Sequence, residues 1–343
     1  EKVRKMYKYL EEQDIKKKDA QLKSQTGYPF YNTSKFTLRR LLDAPSNIKT
    51  NFESYLDGFS DNVQDIISKF KFRNQIETLD EANILYSLIE EFVDPAIHLG
   101  PEPKTDADGN VTQPGLSNLG MGYVFEELVR KFNEENNEEA GEHFTPRDVI
   151  KLMTHLIFLP ISDEMKDATY LAYDPACGTG GMLTEAERFV LEGDGNDEPL
   201  AEDATLHLYG QEVNPETYAI CKADMLIKGK DPERIAYGST LANDKLRRTK
   251  SGEPFAFDFV LSNPPYGKSW KNDKKKIEPS RGDIRDRRFE VENWENHFGE
   301  TETLELTTRS GDGQLLFLVN MLQKMKDPEE SLHGSRIATV QNG

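Results

Sequence analysis

The apolar positions of this chain fall into two regimes. Over residues 1–139 they follow helical spacing, and no run reads as a strand. Residues 1–24 are charged and rich in helix formers, and residues 60–70 place the cap-forming types Ser60, Asp61 and Asn62 ahead of an apolar pattern. Residues 81–93 continue the theme, after which Pro95, Pro101, Pro103, Asp108-Gly109 and Pro114-Gly115 predict a loop. Phe125, Leu128, Val129 and Phe132 return at helical intervals, so residues 119–133 are expected to form a helix that buries one face. The acidic, Asn-rich residues 133–139 are expected to be an exposed hinge between an α-helical N-terminal domain, residues 1–139, and a second domain, residues 140–343.

In the second region helical and strand-like stretches alternate. Residues 146–157 read as a helix with Pro146 early in its first turn, Thr145 as a candidate N-cap, and Val149, Ile150, Met153 and Leu156 on one side. Short buried-strand runs follow at 170–173, 206–212, 255–262 and 336–340, separated by helical patterns at 182–191, 217–228 and 311–325. This alternation predicts a doubly wound, parallel α/β sheet whose helices cross over from strand to strand. The chain begins at Glu1 rather than Met and ends just past the last strand, so a fragment is expected, with further strands beyond residue 343.

Three turns in this region carry chemistry. Asp174-Pro175-Ala176-Cys177-Gly178-Thr179-Gly180-Gly181 joins the first strand to a helix. Its glycines let a ligand approach the backbone closely, and the helix start presents unpaired N–H groups; a tight connection without a ligand has the same look. Glu212 ends the next strand, where an acid accepts hydrogen bonds from ribose hydroxyls. It lies farther from Asp174 than the roughly 20 residues of a dinucleotide fingerprint, an excess the acidic residues 193–198 can supply, and a solvated surface acid is the other reading. The third turn, Asn263-Pro264-Pro265-Tyr266, closes the run 255–262. An amine conjugated to an aromatic ring is a poor nucleophile. The Asn263 side-chain carbonyl and the Pro264 backbone carbonyl can each accept one of its N–H bonds and turn its lone pair toward an electrophilic methyl. Pro265 stiffens the turn, and Tyr266 offers a face on which an extruded base could stack. Taken alone, the tetrapeptide also reads as a Pro-rich turn.

Together these stretches resemble the DNA amino-methyltransferases, and most closely the N6-adenine-specific modification subunits of type I restriction-modification systems. The resemblance rests on Gly141-Glu142-His143-Phe144-Thr145-Pro146-Arg147, on the glycine turn, and on the Asn263 tetrapeptide followed by Asp312-Gly313-Gln314-Leu315-Leu316-Phe317. It implies a Rossmann-like class I S-adenosylmethionine-dependent methyltransferase fold, truncated at its C-terminal side and preceded by an α-helical domain. It implies S-adenosyl-L-methionine as cofactor and N6-methyladenine in double-stranded DNA as product. Residue by residue, it implies Glu142, His143, Phe144, Thr145, Pro146 and Arg147 beside the cofactor, with Phe144 near the methionine end. Asp174, Gly178, Thr179, Gly180 and Gly181 would line the main crevice, Glu212 would take the ribose, and Asn263, Pro264, Pro265 and Tyr266 would be catalytic. Asparagine rather than serine at position 263 tilts the choice from cytosine N4 to adenine N6. At Tyr237-Gly238-Ser239 the chain departs from relatives that carry an acid after the glycine, and Asp244 is the candidate substitute. Implied partners are double-stranded DNA, a specificity subunit that reads its sequence and a restriction subunit. The implied compartment is the prokaryotic cytoplasm, and no metal is implied.

The long segment 267–313 is locally basic over 268–288, with Trp270 and Phe289 among the charges. Such a segment suits a grip on phosphates near an extruded base; a solvated insertion is the other reading. The whole chain is acidic, with a net charge of -18 and a pI near 4.9, which is awkward for solitary DNA binding and calls for a partner. Two cysteines build no disulfide framework, no Cys/His spacing suggests zinc, and no run is long and apolar enough for a membrane span. Two other classes compete. Protein-glutamine N5-methyltransferases that act on translation release factors share Asn-Pro-Pro-Tyr, but leave the basic segment without a purpose. A catalytically silent subunit of the same fold would not need an intact tetrapeptide and glycine turn.

Overall fold

The computed structural model describes residues 2–135, 145–193, 198–247, 255–267, 269–280, 284, 286–331 and 333–341. Contacts divide the chain into two compact units, Glu1–Glu138 with Lys222–Glu233, and Glu139–Cys221 with Arg234–Gly343.

In the first unit the helices are α1 (Lys2–Glu12), α2 (Lys18–Thr26), α3 (Leu38–Leu41), α4 (Ile48–Asp57), α5 (Asp61–Lys69), α6 (Phe72–Glu81) and α7 (Leu85–Phe92). Single residues with positive φ punctuate them. Asp14 (φ +50°) follows α1, so the long helix expected over 1–24 is two helices, and Lys71 and Asn83 separate α5 from α6 and α6 from α7. Asp and Asn tolerate this left-handed geometry better than most residues because their short side chains bond locally. Leu41, Ile48, Leu56, Ile67, Ile76, Leu85 and Ile89, all from α3–α7, form one buried cluster. Each such side chain contributes about 1.5–3 kcal/mol on leaving water.

The Pro/Gly-rich stretch is more than the expected loop. It holds an antiparallel pair, β1 (Lys104–Thr105) and β2 (Val111–Gln113), closed by Asp106, whose carboxyl accepts the backbone N–H groups of Asp108 and Asn110 at 3.0 and 2.8 Å. Two-residue and three-residue strands leave almost no periodicity to detect. Helix α8 (Asn118–Glu135) follows, with Leu128 61% exposed rather than on a buried face.

The second unit begins with α9 (Arg147–Phe158) and alternates β3 (Thr169–Asp174), α10 (Gly181–Glu192), β4 (Thr205–Glu212), α11 (Pro215–Ile227, counted with the first unit from Lys222 on), β5 (Ile235–Tyr237) and β6 (Phe259–Ser262). Then come α12 (Lys271–Ile277), the antiparallel ribbon β7 (Glu290–Glu295) and β8 (Thr301–Glu305), α13 (Gly313–Leu322) and β9 (Arg336–Thr339). Five strands form one parallel sheet in the order β5-β4-β3-β6-β9. The chain winds outward from β3 to β5, then returns to the other side of β3 with β6 and β9, which is the doubly wound arrangement. Strand β6 is shorter than the apolar run 255–262 because Asp258 interrupts it. The Asp258 carboxyl accepts Leu171 N–H at 2.8 Å and the Lys326 ammonium at 2.7 Å. Tyr173, Phe257, Val260 and Met321 pack as a core against the sheet, with the Tyr173 and Phe257 rings stacked at 4.5 Å. Among the described residues no helix is long and apolar enough to cross a membrane.

Candidate active site

Where the strand order reverses, between β3 and β6, the connections leave the sheet in opposite directions and open a crevice at the carboxyl ends of the strands. A cavity of about 540 Å³ lies there, open among the described residues. Its size falls within the roughly 300–1,000 Å³ of cofactor pockets. Its walls are the glycine turn, the end of β4, the turn after β5, the Asn263 tetrapeptide, Thr145 and part of the segment 269–273.

The glycine turn is built by hydrogen bonds that run across strands. Gly178 and Gly180 have φ of +51° and +88°, the left-handed region in which a Cβ would be strained. Asp174, at the end of β3, accepts Ala176 N–H at 2.9 Å and the Ser262 hydroxyl at 2.8 Å through Oδ1. Burial pushes its pKa up to about 7. Gly178 N–H donates to Glu212 Oε2 at 2.9 Å, and Asn214 N–H donates to Oε1 at 2.7 Å. A carboxylate has about four acceptor sites, so Glu212 can brace two turns and still serve a ligand.

Asn263 is set by two neighbours. Its Nδ2 donates to Thr145 Oγ1 at 3.1 Å, which assigns the amide its orientation, and its Oδ1 accepts the Tyr266 hydroxyl. Burial raises the Tyr266 pKa above the ordinary phenol value, so this hydroxyl stays a donor. Ser262, fully buried on the strand side, ties the base of the tetrapeptide to Asp174. The strand end that carries the tetrapeptide and the strand end that carries the glycine turn are thus joined by a direct hydrogen bond.

The sequence-derived site residues fall into three groups. Thr145, Asp174, Gly178, Thr179, Gly181, Glu212, Asn263, Pro264, Pro265 and Tyr266 border the one cavity. Gly180 occupies the N-cap position of α10, Pro146 that of α9, and Arg147 begins α9; none of the three is part of the cavity wall. Glu142, His143 and Phe144 lie outside the described residues. Thr145 does not cap α9: it lies one residue before the N-cap position, and its hydroxyl accepts Asn263 Nδ2. Asp244 does not substitute for the missing acid after Gly238. It is buried against Lys324 at 3.0 Å and Arg288 at 3.8 Å, away from the cavity wall.

The segment after the tetrapeptide differs most from its sequence reading. Trp270 and Phe289 are 3% and 0% exposed and form a small core with Leu241, Ile277 and Leu316, so neither ring is available to a base. Arg288 is buried too. Its guanidinium donates to the carbonyls of Thr240 and Leu241 at 2.9 and 2.8 Å and so clamps the turn after β5. Asp273, on α12, reaches the cavity wall and accepts the Ser239 hydroxyl at 2.9 Å. Neither Arg288 nor Asp273 stands in a recognisable motif, and only the fold brings them to the site.

Comparison with known proteins places this geometry. The family model described as N-6 DNA methylase matches residues 117–298, and that of the HsdM N-terminal domain matches residues 1–92. The chain is 28% identical over 160 residues to the type I restriction enzyme HindI methylase subunit of Haemophilus influenzae, covering 46% of this chain and 32% of the relative. It is 27% identical over 234 residues to the type I restriction enzyme MjaIX methylase subunit of Methanocaldococcus jannaschii, covering 68% and 34%. It therefore spans about a third of the length of these curated relatives. In fold it is similar to the methyltransferase subunit of a type I restriction-modification system from Streptococcus thermophilus. That likeness has a TM-score of 0.56 at 21% identity, over 94% of this chain and 60% of the other.

Proposed function

Because the chain belongs to the N-6 DNA methylase family, we propose that it methylates the N6 amine of an adenine turned out of duplex DNA, as part of a type I modification subunit. S-adenosyl-L-methionine, when bound, supplies an electrophilic methyl on a sulfonium centre. The observation that carries the reading is the position of Asn263, an amide oriented by Thr145 on the wall of a glycine-lined cavity. The residues present fit the cofactor: an open cavity of about 540 Å³, the N-terminus of α10 and the Glu212 carboxyl beside it. Asn263 Oδ1 and the Pro264 carbonyl accept the two N–H bonds of the adenine amine and direct its lone pair into the cavity. The Tyr266 hydroxyl now on Oδ1 leaves as the amine arrives, and its ring then stacks on the base. In this reading a specificity subunit reads the DNA sequence, a restriction subunit completes the system, and the compartment is the prokaryotic cytoplasm.

Labelled cofactor offered with separate DNA and protein acceptors, the specificity partner present, tests it. Label should enter DNA, and nucleoside digestion should return N6-methyladenine; label in a protein glutamine would overturn the reading. Asn263→Ala should lower turnover by about 10²–10³-fold, the range for a lost transition-state hydrogen-bonding group. Binding of S-adenosylhomocysteine should stay within a few-fold.

A further inference from the structure

The parallel strands end on one edge in the order β5, β4, β3, β6, so their tips form a scale along the crevice. Asn263 follows β6, Asp174 ends β3, Glu212 ends β4, and Ser239 follows β5. Three strand spacings separate the two ends, roughly 14 Å, about the extended length of a nucleoside bearing an amino-acid arm. With the reacting methyl facing Asn263 and the ribose on Glu212, the purine must lie beyond Glu212, at the tip of β5.

What waits there is an acid borrowed from another part of the chain. Ser239 Oγ is already engaged, donating to Asp273 Oδ1 at 2.9 Å and accepting Ala242 N–H at 3.2 Å. Its only hydrogen is spent, so it offers the purine little. Asp273 Oδ2 accepts no hydrogen bond from any described residue, and Asp273 lies in the cavity wall. Two further contacts hold the pair in place. Arg288 clamps the Thr240 and Leu241 carbonyls beside Ser239, and Gln211 Nε2 donates to the Gly238 and Asn243 carbonyls at 3.2 and 2.9 Å. On the α12 side, Trp270 and Ile277 anchor the helix in its own small core.

We infer that Asp273, supplied by the segment after the tetrapeptide, recognises the exocyclic amine of the cofactor's adenine, with Ser239 positioning its carboxyl. This rests on the reading of the cavity as an S-adenosylmethionine site. An amine N–H donates and a carboxyl oxygen accepts, so a purine carrying a carbonyl at that position would set acceptor against acceptor.

Calorimetry with S-adenosylhomocysteine and S-inosylhomocysteine on the full chain tests it. The wild type should prefer the adenosyl ligand by about tenfold or more, the value of a hydrogen bond to a charged group. Asp273→Ala should shrink the preference to within about threefold, chiefly by weakening the adenosyl ligand. Asp273→Asn, which keeps an acceptor but loses the charge, should show a reduced preference of about three- to fivefold, and this variant carries the test should the alanine one fail to fold, an unchanged preference there also overturning the assignment. Ser239→Ala, which loosens the carboxyl without removing it, should weaken the adenosyl ligand a few-fold and shrink the preference less than Asp273→Ala does. An unchanged preference in Asp273→Ala, or its complete loss in Asp273→Asn, overturns the assignment. Failure of the wild type to bind S-adenosylhomocysteine at all would instead sink the cofactor reading beneath it.

Discussion

An amide can draw on an amine only when its oxygen, not its nitrogen, faces the substrate, and in this chain Thr145 and Tyr266 together set which it is. Asn263 Nδ2 donates to Thr145 Oγ1 while Oδ1 accepts the Tyr266 hydroxyl, so in the proposed reaction Oδ1 is the acceptor. Thr145→Val removes the threonine oxygen that accepts Nδ2 at nearly constant volume. Turnover should fall about tenfold, the value of one modest hydrogen bond, with cofactor affinity little changed, and Thr145→Ser should restore it; equal losses in both variants would argue for packing alone. Asp174 makes a different statement at the same scale. Unfolded, it ionises at its ordinary value of 3.8, whereas burial pushes it up to about 7 in the folded chain. Between those values the folded state keeps a proton that the unfolded state releases. The contribution of Asp174 to stability is therefore complete below about pH 4 and is lost as pH rises through 7. Asp174→Asn keeps an acceptor for Ala176 N–H and the Ser262 hydroxyl but cannot ionise. Its melting temperature should gain on the wild type from pH 5 to pH 8 and level off above, and a difference independent of pH would show the carboxyl ionised throughout.

Helix α12 shows how an element changes the meaning of its residues. Read as sequence, Lys274, Lys275 and Lys276 form one basic run. In the fold Lys274 turns inward, with Nζ 3.1 Å from Glu278 and over the Trp270 ring, while Lys275 and Lys276 are exposed. Each phosphate contact steepens the salt dependence of DNA binding by about 0.9 in log–log slope. The Lys275→Ala/Lys276→Ala pair should accordingly flatten that slope by roughly two, and Lys274→Ala should leave it nearly unchanged while weakening the helix. A slope that responds to Lys274 as strongly as to its neighbours would remove the distinction. The same element marks the limit of what the sequence made legible. The sheet, its winding and the three cavity-forming turns were readable because local runs of apolar residues, glycine and proline carry their own geometry. Strand β9 beside β6 followed from chain order. The β1–β2 pair was missed because strands so short have no periodicity. Burial of Trp270, Phe289 and Arg288, and the arrival of Asp273 beside Ser239, depend on contacts across some 30 to 50 residues of sequence, as in the Asp273–Ser239 and Arg288–Thr240 bonds. No local pattern encodes those.

At the scale of the whole molecule two electrostatic effects oppose each other. The chain carries a net charge of -18, and duplex DNA is a polyanion. Within a Debye length, about 10 Å at 0.1 M salt and longer as salt falls, the net negative charge should oppose approach to DNA. At contact, only the local charges count, and there Lys271, Lys275, Lys276 and Arg287 are exposed cations of the segment after the tetrapeptide. Approach and grip should therefore respond to salt with opposite sign. For this chain alone with a short duplex, stopped-flow association should speed up as salt rises from about 20 to about 100 mM, because screening relieves the repulsion. Dissociation should speed up over the same range, because salt weakens the phosphate contacts. A sequence-reading partner that supplies positive surface would invert the first trend and leave the second, since it changes the field at a distance without touching the four local cations. Association that slows with salt for the isolated chain would mean that the basic segment governs approach as well as grip, and that the acidic bulk lies far enough from the DNA path to be screened out.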